Sequence, residues 1–270
     1  MAISILELAA ERVVVFDGAM GTMLLASGLP TGGTPELWNL EQPGIVENIH
    51  QQYYDAGSDV VHTNTFGGTF LKLADKGHED KTEQVNAAAV KIARKACPPG
   101  RFVAGDIGPT GRMLPPVGTA SVEELEEAFY QQAKALVQGG ADLISIETMF
   151  SLEESLAAVR SAKKAGDCPV VAAVTYNKTP NGFFTMMGES VAQSAEAFGN
   201  AGADVFASNC TLGSSDMLDL VKDMKAATSL PVLIQPNAGK PVADDDGPTR
   251  YEQTALEFAQ DIKRLVDAGA

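Results

Sequence analysis

Cysteine is scarce in this sequence, and no two cysteines stand close together. Three occur in 270 residues, and none belongs to a Cys-x-x-Cys pair. Disulfide frameworks and thiolate metal sites usually show closely spaced cysteines, so neither is predicted from the spacing alone. Few and unpaired cysteines are typical of a reducing compartment, and we expect a cytoplasmic protein.

Positive charge and long apolar runs are also lacking. The chain carries 20 basic and 35 acidic residues, a net charge of −15, which argues against nucleic acid or an anionic membrane as a partner. No apolar run approaches the roughly 20 residues that cross a bilayer. The first eleven residues include Glu7 and Glu11, so they are interpreted as an amphipathic helix and not as a signal peptide.

A short glycine motif, by contrast, occurs four times. It reads Ala-Gly-Ser-Asp, Gly-Gly-Ala-Asp, Ala-Gly-Ala-Asp or Ala-Gly-Ala, and it falls within residues 55–59, 139–142, 200–204 and 267–270. The first three copies lead directly into apolar runs rich in β-branched residues. A left-handed glycine ends a helix, and such a run is typical of a strand buried on both faces. The motif therefore predicts junctions between a helix and a strand.

The strand and helix patterns alternate along the chain. Seven strands are predicted to begin near Val13, Asp59, Phe102, Asp142, Val170, Asp204 and Val232. Helical patterns between them leave two architectures, an open doubly wound sheet and a closed (β/α)8 barrel. Loops leaving the strands are longer than loops entering them, as expected for a (β/α)8 TIM barrel whose active site lies at the carboxyl ends of the strands. We predict one domain over residues 1–270.

The fourth copy of the motif ends at Ala270, where an eighth strand is due. A barrel without that strand would expose two unpaired edges. We therefore expect the eighth strand to be missing from this chain or truncated in it. The natural chain is expected to continue, or to be completed in some other way.

The loop after the first predicted strand combines a carboxylate with small residues. It reads Asp17-Gly18-Ala19-Met20-Gly21-Thr22 and leads into a helical run. Main-chain N–H groups at a helix start bind anions, and a neighbouring carboxylate can hold an ammonium group. The loop thus suits the carboxylate and amine of an amino acid. An ordinary tight turn is the alternative, and a dinucleotide site is disfavoured because Gly-x-Gly-x-x-Gly is missing.

Two further candidates follow apolar strands. Glu147 ends the fourth predicted strand, and burying a carboxylate there without a partner would be costly, so ligand binding is favoured over a structural ion pair. Cys210 ends the sixth, where a thiolate could act as a nucleophile or a zinc ligand. The alternative for Cys210 is a small buried hydrophobe. Cys97 and Cys168 lie away from these strand ends and are interpreted as bystanders.

The histidines and two other loops complete the candidates. His62 is the one histidine in a predicted strand near the site, and His50 and His78 are predicted on helix surfaces. The apolar loop at residues 183–188 either covers substrate, receives a partner or folds onto the barrel rim. Residues 244–246, three aspartates, form a solvated turn or a cation site.

Six segments together resemble the homocysteine S-methyltransferase family, and most closely the homocysteine-binding modules of cobalamin-dependent methionine synthases. The resemblance runs from about Val13 to Ala270. The segments are Asp-Gly-Ala-Met-Gly-Thr at 17–22, Leu-Trp-Asn-Leu at 37–40, Asp-Val-Val-His-Thr-Asn-Thr-Phe at 59–66, Gly-Asp-Ile-Gly-Pro at 105–109, Glu-Thr at 147–148 and Ser-Asn-Cys at 208–210.

The resemblance implies a zinc-dependent transfer of a methyl group to the sulfur of homocysteine, within a barrel fold. By this likeness Cys210 is the first zinc thiolate, and Asp17 and Glu147 hold the substrate amine. The amides around Ala19 and Met20 hold the substrate carboxylate. Three further residues at the same strand ends are candidates for substrate binding: Gly18, Asn64 and Asn209.

The family's other two zinc thiolates belong to a Gly-Gly-Cys-Cys-Gly-Thr stretch beyond the position of Ala270. We therefore expect this chain to bind zinc poorly by itself. The implied partners are homocysteine and a methyl donor, either methylcobalamin or another donor supplied by a separate domain or protein.

Two other functions stay open at this point. One is a zinc-free barrel that binds an amino acid or thiol, or docks a partner, without chemistry. The other is a methyltransferase of the same fold that acts on a different thiol or on a corrinoid protein.

Overall fold

A computed structural model of the protein describes residues 3–239, 241–242, 250–251 and 253–270. The three aspartates at 244–246 lie outside these residues. The chain divides into two compact units. Unit 1 comprises Met1–Ile146 and Glu153–Val171, and unit 2 comprises Glu147–Leu152 and Ala172–Ala270. The single domain expected over residues 1–270 stays a prediction.

The strands in the described part of the chain are short. They are β1 (Val60–His62), β2 (Phe102–Ile107), β3 (Leu143–Ile146), β4 (Val170–Ala173), β5 (Asn177–Thr179), β6 (Gly182–Phe184), β7 (Val205–Gly213), β8 (Val232–Asn237), β9 (Pro241–Val242) and β10 (Arg250–Tyr251).

Helices fill the intervals between the main strands. They are α1 (Ile5–Glu11), α2 (Met20–Ala26), α3 (Trp38–Glu41), α4 (Pro43–Asp55), α5 (Phe70–Ala74), α6 (Thr82–Ala96), α7 (Val122–Gly139), α8 (Leu152–Ala165), α9 (Val191–Ala201), α10 (Met217–Ala227) and α11 (Ala255–Asp267), with 3₁₀ turns at Pro35–Leu37 and Glu79–Lys81. Among the described residues, no helix combines the length and apolar character needed to cross a bilayer.

Unit 1 contains β1, β2, β3 and the start of β4. β1 pairs with β2 and β2 with β3, both in parallel, and every residue of these three strands is buried. The strand predicted near Val13 is reduced to one parallel bridge between Phe16 and Val60. Val13 and Val15 are about half exposed, so this segment lacks the burial on both faces that supports the longer strands.

Unit 2 contains the end of β4, then β7 and β8, which pair in parallel with Phe206 opposite Val232. The ladder is interrupted by a register shift between Asn209 and Gly213. β5 and β6 form an antiparallel hairpin, and β9 pairs with β10 in antiparallel orientation.

The strand order answers the question of architecture. The strand order in the main sheet is β1-β2-β3-β4-β7-β8. The order follows the chain and never reverses, whereas a doubly wound sheet reverses at its switch point. The fold is therefore an α/β fold of the TIM-barrel type, and the doubly wound alternative is wrong. The described residues contain no eighth barrel strand.

The glycine motif does end helices. Gly140 follows α7 with φ +95° and Gly202 follows α9 with φ +81°, a conformation that glycine adopts without the steric cost paid by other residues. The strand that follows each motif begins within about one residue of the predicted position. These junctions place the polar residues after the strands at the carboxyl ends of the sheet.

Candidate active site

Asp17 lies at the end of the bridging segment in unit 1, and its side chain is almost wholly buried. Both carboxylate oxygens accept hydrogen bonds from His62. The backbone N–H of His62 donates to Oδ2 at 2.9 Å, and ring Nδ1 lies 2.6 Å from Oδ1. His62, the histidine predicted in a strand near the site, thus contacts both carboxylate oxygens of Asp17.

The other ring nitrogen of His62 is also engaged. Nε2 lies 3.0 Å from the hydroxyl of Ser145 in β3, and the ring packs against Phe16 at a centroid distance of 5.4 Å. Sequence reasoning missed Ser145. The signal available was one hydroxyl within the otherwise apolar strand Leu143–Ile146.

The loop after Asp17 runs into α2 as predicted. The helix begins at Met20, and its N-cap residue Ala19 provides no side-chain hydrogen bond to the first turn. A Cβ on Gly18 would lie 3.1 Å from Oη of Tyr53, and that hydroxyl donates to the carbonyl of Ala19 at 3.2 Å. Burial raises the pKa of Tyr53 to about 12, and the charge of Asp17 acts in the same direction.

His50 was predicted on a helix surface, and this prediction is wrong. It is fully buried in α4, and neither ring nitrogen has a hydrogen-bond partner within the described residues. Burial lowers the pKa of His50 to about 4, although the charge of Asp17 opposes the shift. The missed signal was spacing, because His50 shares a helix face with Val46 and Tyr54, which are also buried. His78 is partly exposed beside a 3₁₀ turn.

The side chain of Asn64 forms hydrogen bonds with other residues of unit 1. Its side-chain N–H groups donate to the carbonyl of Pro35 at 2.7 Å and to Oδ1 of Asn39 at 3.1 Å. Asn39 in turn donates to the carbonyl of Asn64 at 2.8 Å. Substrate binding by Asn64 stays a prediction, and the contacts that are present shape the loop after β1.

Unit 2 brings Glu147 and Asn209 together. The side-chain nitrogen of Asn209 donates to Oε2 of Glu147 at 2.6 Å and to the hydroxyl of Thr148 at 2.7 Å. Its oxygen accepts from the backbone N–H of Thr148 at 2.8 Å. One amide therefore fixes the carboxylate. Oε1 of Glu147 has no hydrogen-bond partner in the described part of the chain.

Cys210 follows Asn209 directly and belongs to the same cluster. Its sulfur lies 3.8 Å from Nδ2 of Asn209 and 3.9 Å from the hydroxyl of Thr148. Burial raises the pKa of the Cys210 thiol, and the negative charge of Glu147 raises it further. The surroundings therefore favour the neutral thiol, and a nearby cation would favour the thiolate.

Backbone strain concentrates at this cluster. Among the described residues, the non-glycine positions with positive φ are Thr148 at 59°, Cys210 at 57° and Thr211 at 57°. A β-branched residue in this region is a conformational outlier, and such outliers persist where the surroundings hold them. Thr211 is anchored by its hydroxyl, which donates to the carbonyl of Tyr176 at 2.8 Å. Nothing in the sequence signals these angles.

The described residues do not by themselves fit a zinc site. A catalytic zinc takes about three protein ligands, and no cluster of three His, Cys, Asp or Glu side chains suited to a metal occurs in the described part of the chain. Cys210 is chemically suited to be one thiolate ligand. Cys97 and Cys168 both belong to unit 1, whereas Cys210 belongs to unit 2.

The apolar loop at residues 183–188 divides between core and surface. Phe183 in β6 is buried, with Nζ of Lys178 at 5.7 Å from its ring centroid. Met186 and Met187 are exposed. Phe183 thus belongs to the buried residues of unit 2, and the three interpretations of the loop stay predictions.

Comparisons with known proteins identify the family of the chain. The model of the family "Homocysteine S-methyltransferase" matches residues 14–270. Methionine synthase of Mycobacterium tuberculosis is 32% identical over 279 residues, covering 97% of this chain and 23% of that protein. Methionine synthase of Mycobacterium leprae gives the same values. The chain spans about a quarter of the length of these curated relatives.

Solved structures show the same fold. The homocysteine methyltransferase MmuM from Escherichia coli, in its oxidised form, superposes with a TM-score of 0.79 at 21% identity, covering 97% of this chain and 91% of that one. Its metallated form gives a TM-score of 0.78. Since the family model covers nearly the whole sequence, the chain belongs to the homocysteine S-methyltransferase family.

Proposed function

We propose that the chain binds homocysteine and presents its sulfur for methylation, which yields methionine. The observation that carries the proposal is the cluster in unit 2, where Asn209 donates to the Glu147 carboxylate and the Cys210 thiol lies in a strained part of β7. Backbone strain of this kind is retained at functional sites. Family membership supplies the substrate class.

Each carboxylate has a defined task in this proposal. Asp17 and Glu147 are the groups that pair with the substrate ammonium, because ionised carboxylates form the strong, charge-assisted hydrogen bonds that such a group needs. Oε1 of Glu147 is available to a ligand, since the described residues place no donor on it. The N–H groups near Ala19 and Met20, which lack a side-chain cap, are the proposed partners of the substrate carboxylate.

The reaction requires the thiolate of the substrate, and an ordinary thiol has a pKa near 8.5. Zinc, when bound, would lower that pKa, and Cys210 is the ligand this chain would contribute. The described residues hold no cluster of three metal-type side chains around Cys210, so the proposed zinc dependence rests on family membership.

The methyl donor is proposed from the relatives. Methylcobalamin, or another donor supplied by a separate domain or protein, fits a chain that spans about a quarter of the matching methionine synthases. A cytoplasmic location agrees with the sparse cysteines. The second candidate function is an amino-acid or thiol-binding module without chemistry, which is favoured by the lack of a three-ligand metal cluster among the described residues.

The proposal is tested by titrating homocysteine into the full chain by calorimetry. Asp17→Asn and Glu147→Gln should each weaken binding by about 1–3 kcal/mol, because each removes one charged partner of the ammonium group. Glu196→Gln, an exposed position on α9, is the matched control and should bind as the parent does. Equal affinity in all four proteins would contradict the assigned site.

Methyl transfer separates the two candidate functions. With a methylated corrinoid or another methyl donor present, a transferase forms methionine from homocysteine, whereas a binding module retains affinity and forms none. Competition by cysteine and other small thiols then reports whether homocysteine is the preferred acceptor.

A further inference from the structure

The Asp17 carboxylate is oriented by one residue on a different segment. His62 donates to Oδ2 through its backbone N–H at 2.9 Å, and its ring nitrogen Nδ1 lies 2.6 Å from Oδ1. The backbone contact would survive any substitution at position 62 other than proline. The ring contact is specific to the imidazole and is the shorter of the two.

The ring contact defines the tautomer of His62. A carboxylate oxygen can only accept a hydrogen bond, so Nδ1 carries the proton that lies between the two groups. In the neutral imidazole, Nε2 then accepts from the hydroxyl of Ser145, 3.0 Å away. His62 and Ser145 are both buried, so this chain of hydrogen bonds is shielded from competing water.

We infer that His62 is a positioning residue, which holds the Asp17 carboxylate in the orientation that receives the ammonium group of the substrate, while Ser145 fixes the imidazole ring. This inference rests on the proposed function, in which Asp17 binds the amine of homocysteine. Lysine or arginine in place of His62 would compete with the substrate for Asp17.

Two isosteric substitutions of His62 distinguish the contribution of Nδ1 from that of Nε2. His62→Asn places an amide N–H at the position of Nδ1, so it retains the donor to Asp17 and loses the contact with Ser145. His62→Gln reaches the position of Nε2 and loses the donor to Asp17. Ser145→Ala removes the hydroxyl and leaves the imidazole in place.

Two ligands separate positioning from general damage to the fold. Homocysteine carries the ammonium group, and 4-mercaptobutanoate has the same thiol and carboxylate without it. Dissociation constants for both ligands are measured on the full chain by calorimetry, and the thermal midpoint of each variant is recorded. If His62 positions Asp17, substitutions of His62 change the affinity for homocysteine alone.

The expected result is a loss of about tenfold in homocysteine affinity for His62→Gln, a change of less than about threefold for His62→Asn, and an intermediate loss for Ser145→Ala. Affinity for 4-mercaptobutanoate should stay within about twofold throughout. Unchanged homocysteine binding in His62→Gln, or equal losses for both ligands, would overturn the inference and leave the proposed function standing. Failure of the parent chain to bind homocysteine would overturn the proposed function and this inference with it.

A measurement on the unsubstituted chain covers the case in which His62→Gln does not fold. Nitrogen-15 NMR of the imidazole, assigned by comparison with His62→Asn, reports which ring nitrogen carries the proton. A protonated Nδ1 supports the inference, whether or not Nε2 also carries a proton. The opposite tautomer would overturn it, because Nδ1 could then donate nothing to Asp17.

Discussion

Asn209 connects the polar groups of the unit 2 cluster through one side chain. Its amide nitrogen faces the Glu147 carboxylate, and its oxygen faces the backbone N–H of Thr148. An amide is suited to this position because it donates on one side and accepts on the other. A carboxylate of the same shape would accept on both sides and meet Glu147 with like charge.

Replacing Asn209 by Asp should therefore destabilise the fold and weaken homocysteine binding. The new carboxylate would lie about 2.6 Å from Oε2 of Glu147 if nothing moved, so we expect a loss of about 1–3 kcal/mol in the free energy of unfolding. Urea denaturation at pH 7.5 measures it. Asn200→Asp, at an exposed position in α9, should cost less than about 0.5 kcal/mol. Equal effects at the two positions would contradict the assigned contact.

His50 is a buried group whose protonation opposes folding. The pKa of His50 is about 4 in the folded chain, against 6.5 ordinarily. Between these two pH values the unfolded chain binds a proton at this residue and the folded chain does not. Stability contributed through His50 is therefore complete above pH 6.5 and falls as the pH decreases toward 4.

The pH dependence of the free energy of unfolding tests this loss of stability. Between pH 7.5 and pH 5 the parent chain should lose about 2 kcal/mol more unfolding free energy than His50→Gln, which cannot be protonated. Contributions of other titrating groups cancel in this difference because both proteins contain them. His78→Gln controls for removal of a partly exposed imidazole, and His50→Leu repeats the test without a buried amide. Parallel curves for the parent chain and both His50 variants would exclude the proposed cost.

Helix α9 contains two glycines, one that ends the helix and one in its interior. Gly202 ends the helix with φ +81° and has no atom within 4 Å of a built Cβ. Gly199 lies inside the same helix without positive φ, and it also has open space around a built Cβ. The two positions thus differ in backbone conformation and not in crowding.

Opposite effects on stability should follow from one substitution. Gly202→Ala should cost about 1 kcal/mol or more, because a Cβ disfavours the left-handed conformation. Gly199→Ala should add roughly 0.5–1 kcal/mol, since alanine loses less entropy in a helix. Thermal and urea unfolding of the two variants side by side give the comparison. The same sign for both would contradict the assignment of Gly202 as the residue that ends α9.

Local signals explain which elements could be predicted from the sequence. The glycine motif and the apolar run after it predict β1, β3 and β7 within about one residue, because each junction is encoded in adjacent residues. The strand predicted near Val13 is reduced to one bridge, since its apolar residues give no indication that Val13 and Val15 stay half exposed. Periodicity over four residues would have placed His50 in the core.

The contacts of the site join residues that lie far apart in the sequence, so no local sequence pattern predicts them. His62 meets Asp17 across 45 positions and Ser145 across 83. The placement of Asp17 and Glu147 directly after strands was predictable from the sequence, whereas Cys210, predicted at a strand end, lies within β7. Their partners, and the left-handed backbone at Thr148 and Thr211, follow from the tertiary structure.

The metal content of the chain is a property of the whole molecule. Three protein ligands are needed for a catalytic zinc, and the described residues place one suitable thiol, Cys210, with no cluster of three ligands around it. The pKa of that thiol is raised by burial and by Glu147, so binding zinc at this position alone would also require removing a proton that the surroundings retain.

We therefore expect little zinc in the purified 270-residue chain, well below one equivalent, when it is dialysed against buffered zinc and measured by atomic absorption. Cys210→Ser should abolish whatever weak binding remains, whereas Cys97→Ser should leave it unchanged, because Cys97 lies at the end of α6 in unit 1. Near-stoichiometric zinc that survives in Cys210→Ser would show that other ligands bind the metal. Near-stoichiometric zinc that is lost in Cys210→Ser would show that Cys210 is joined by ligands outside the described cluster.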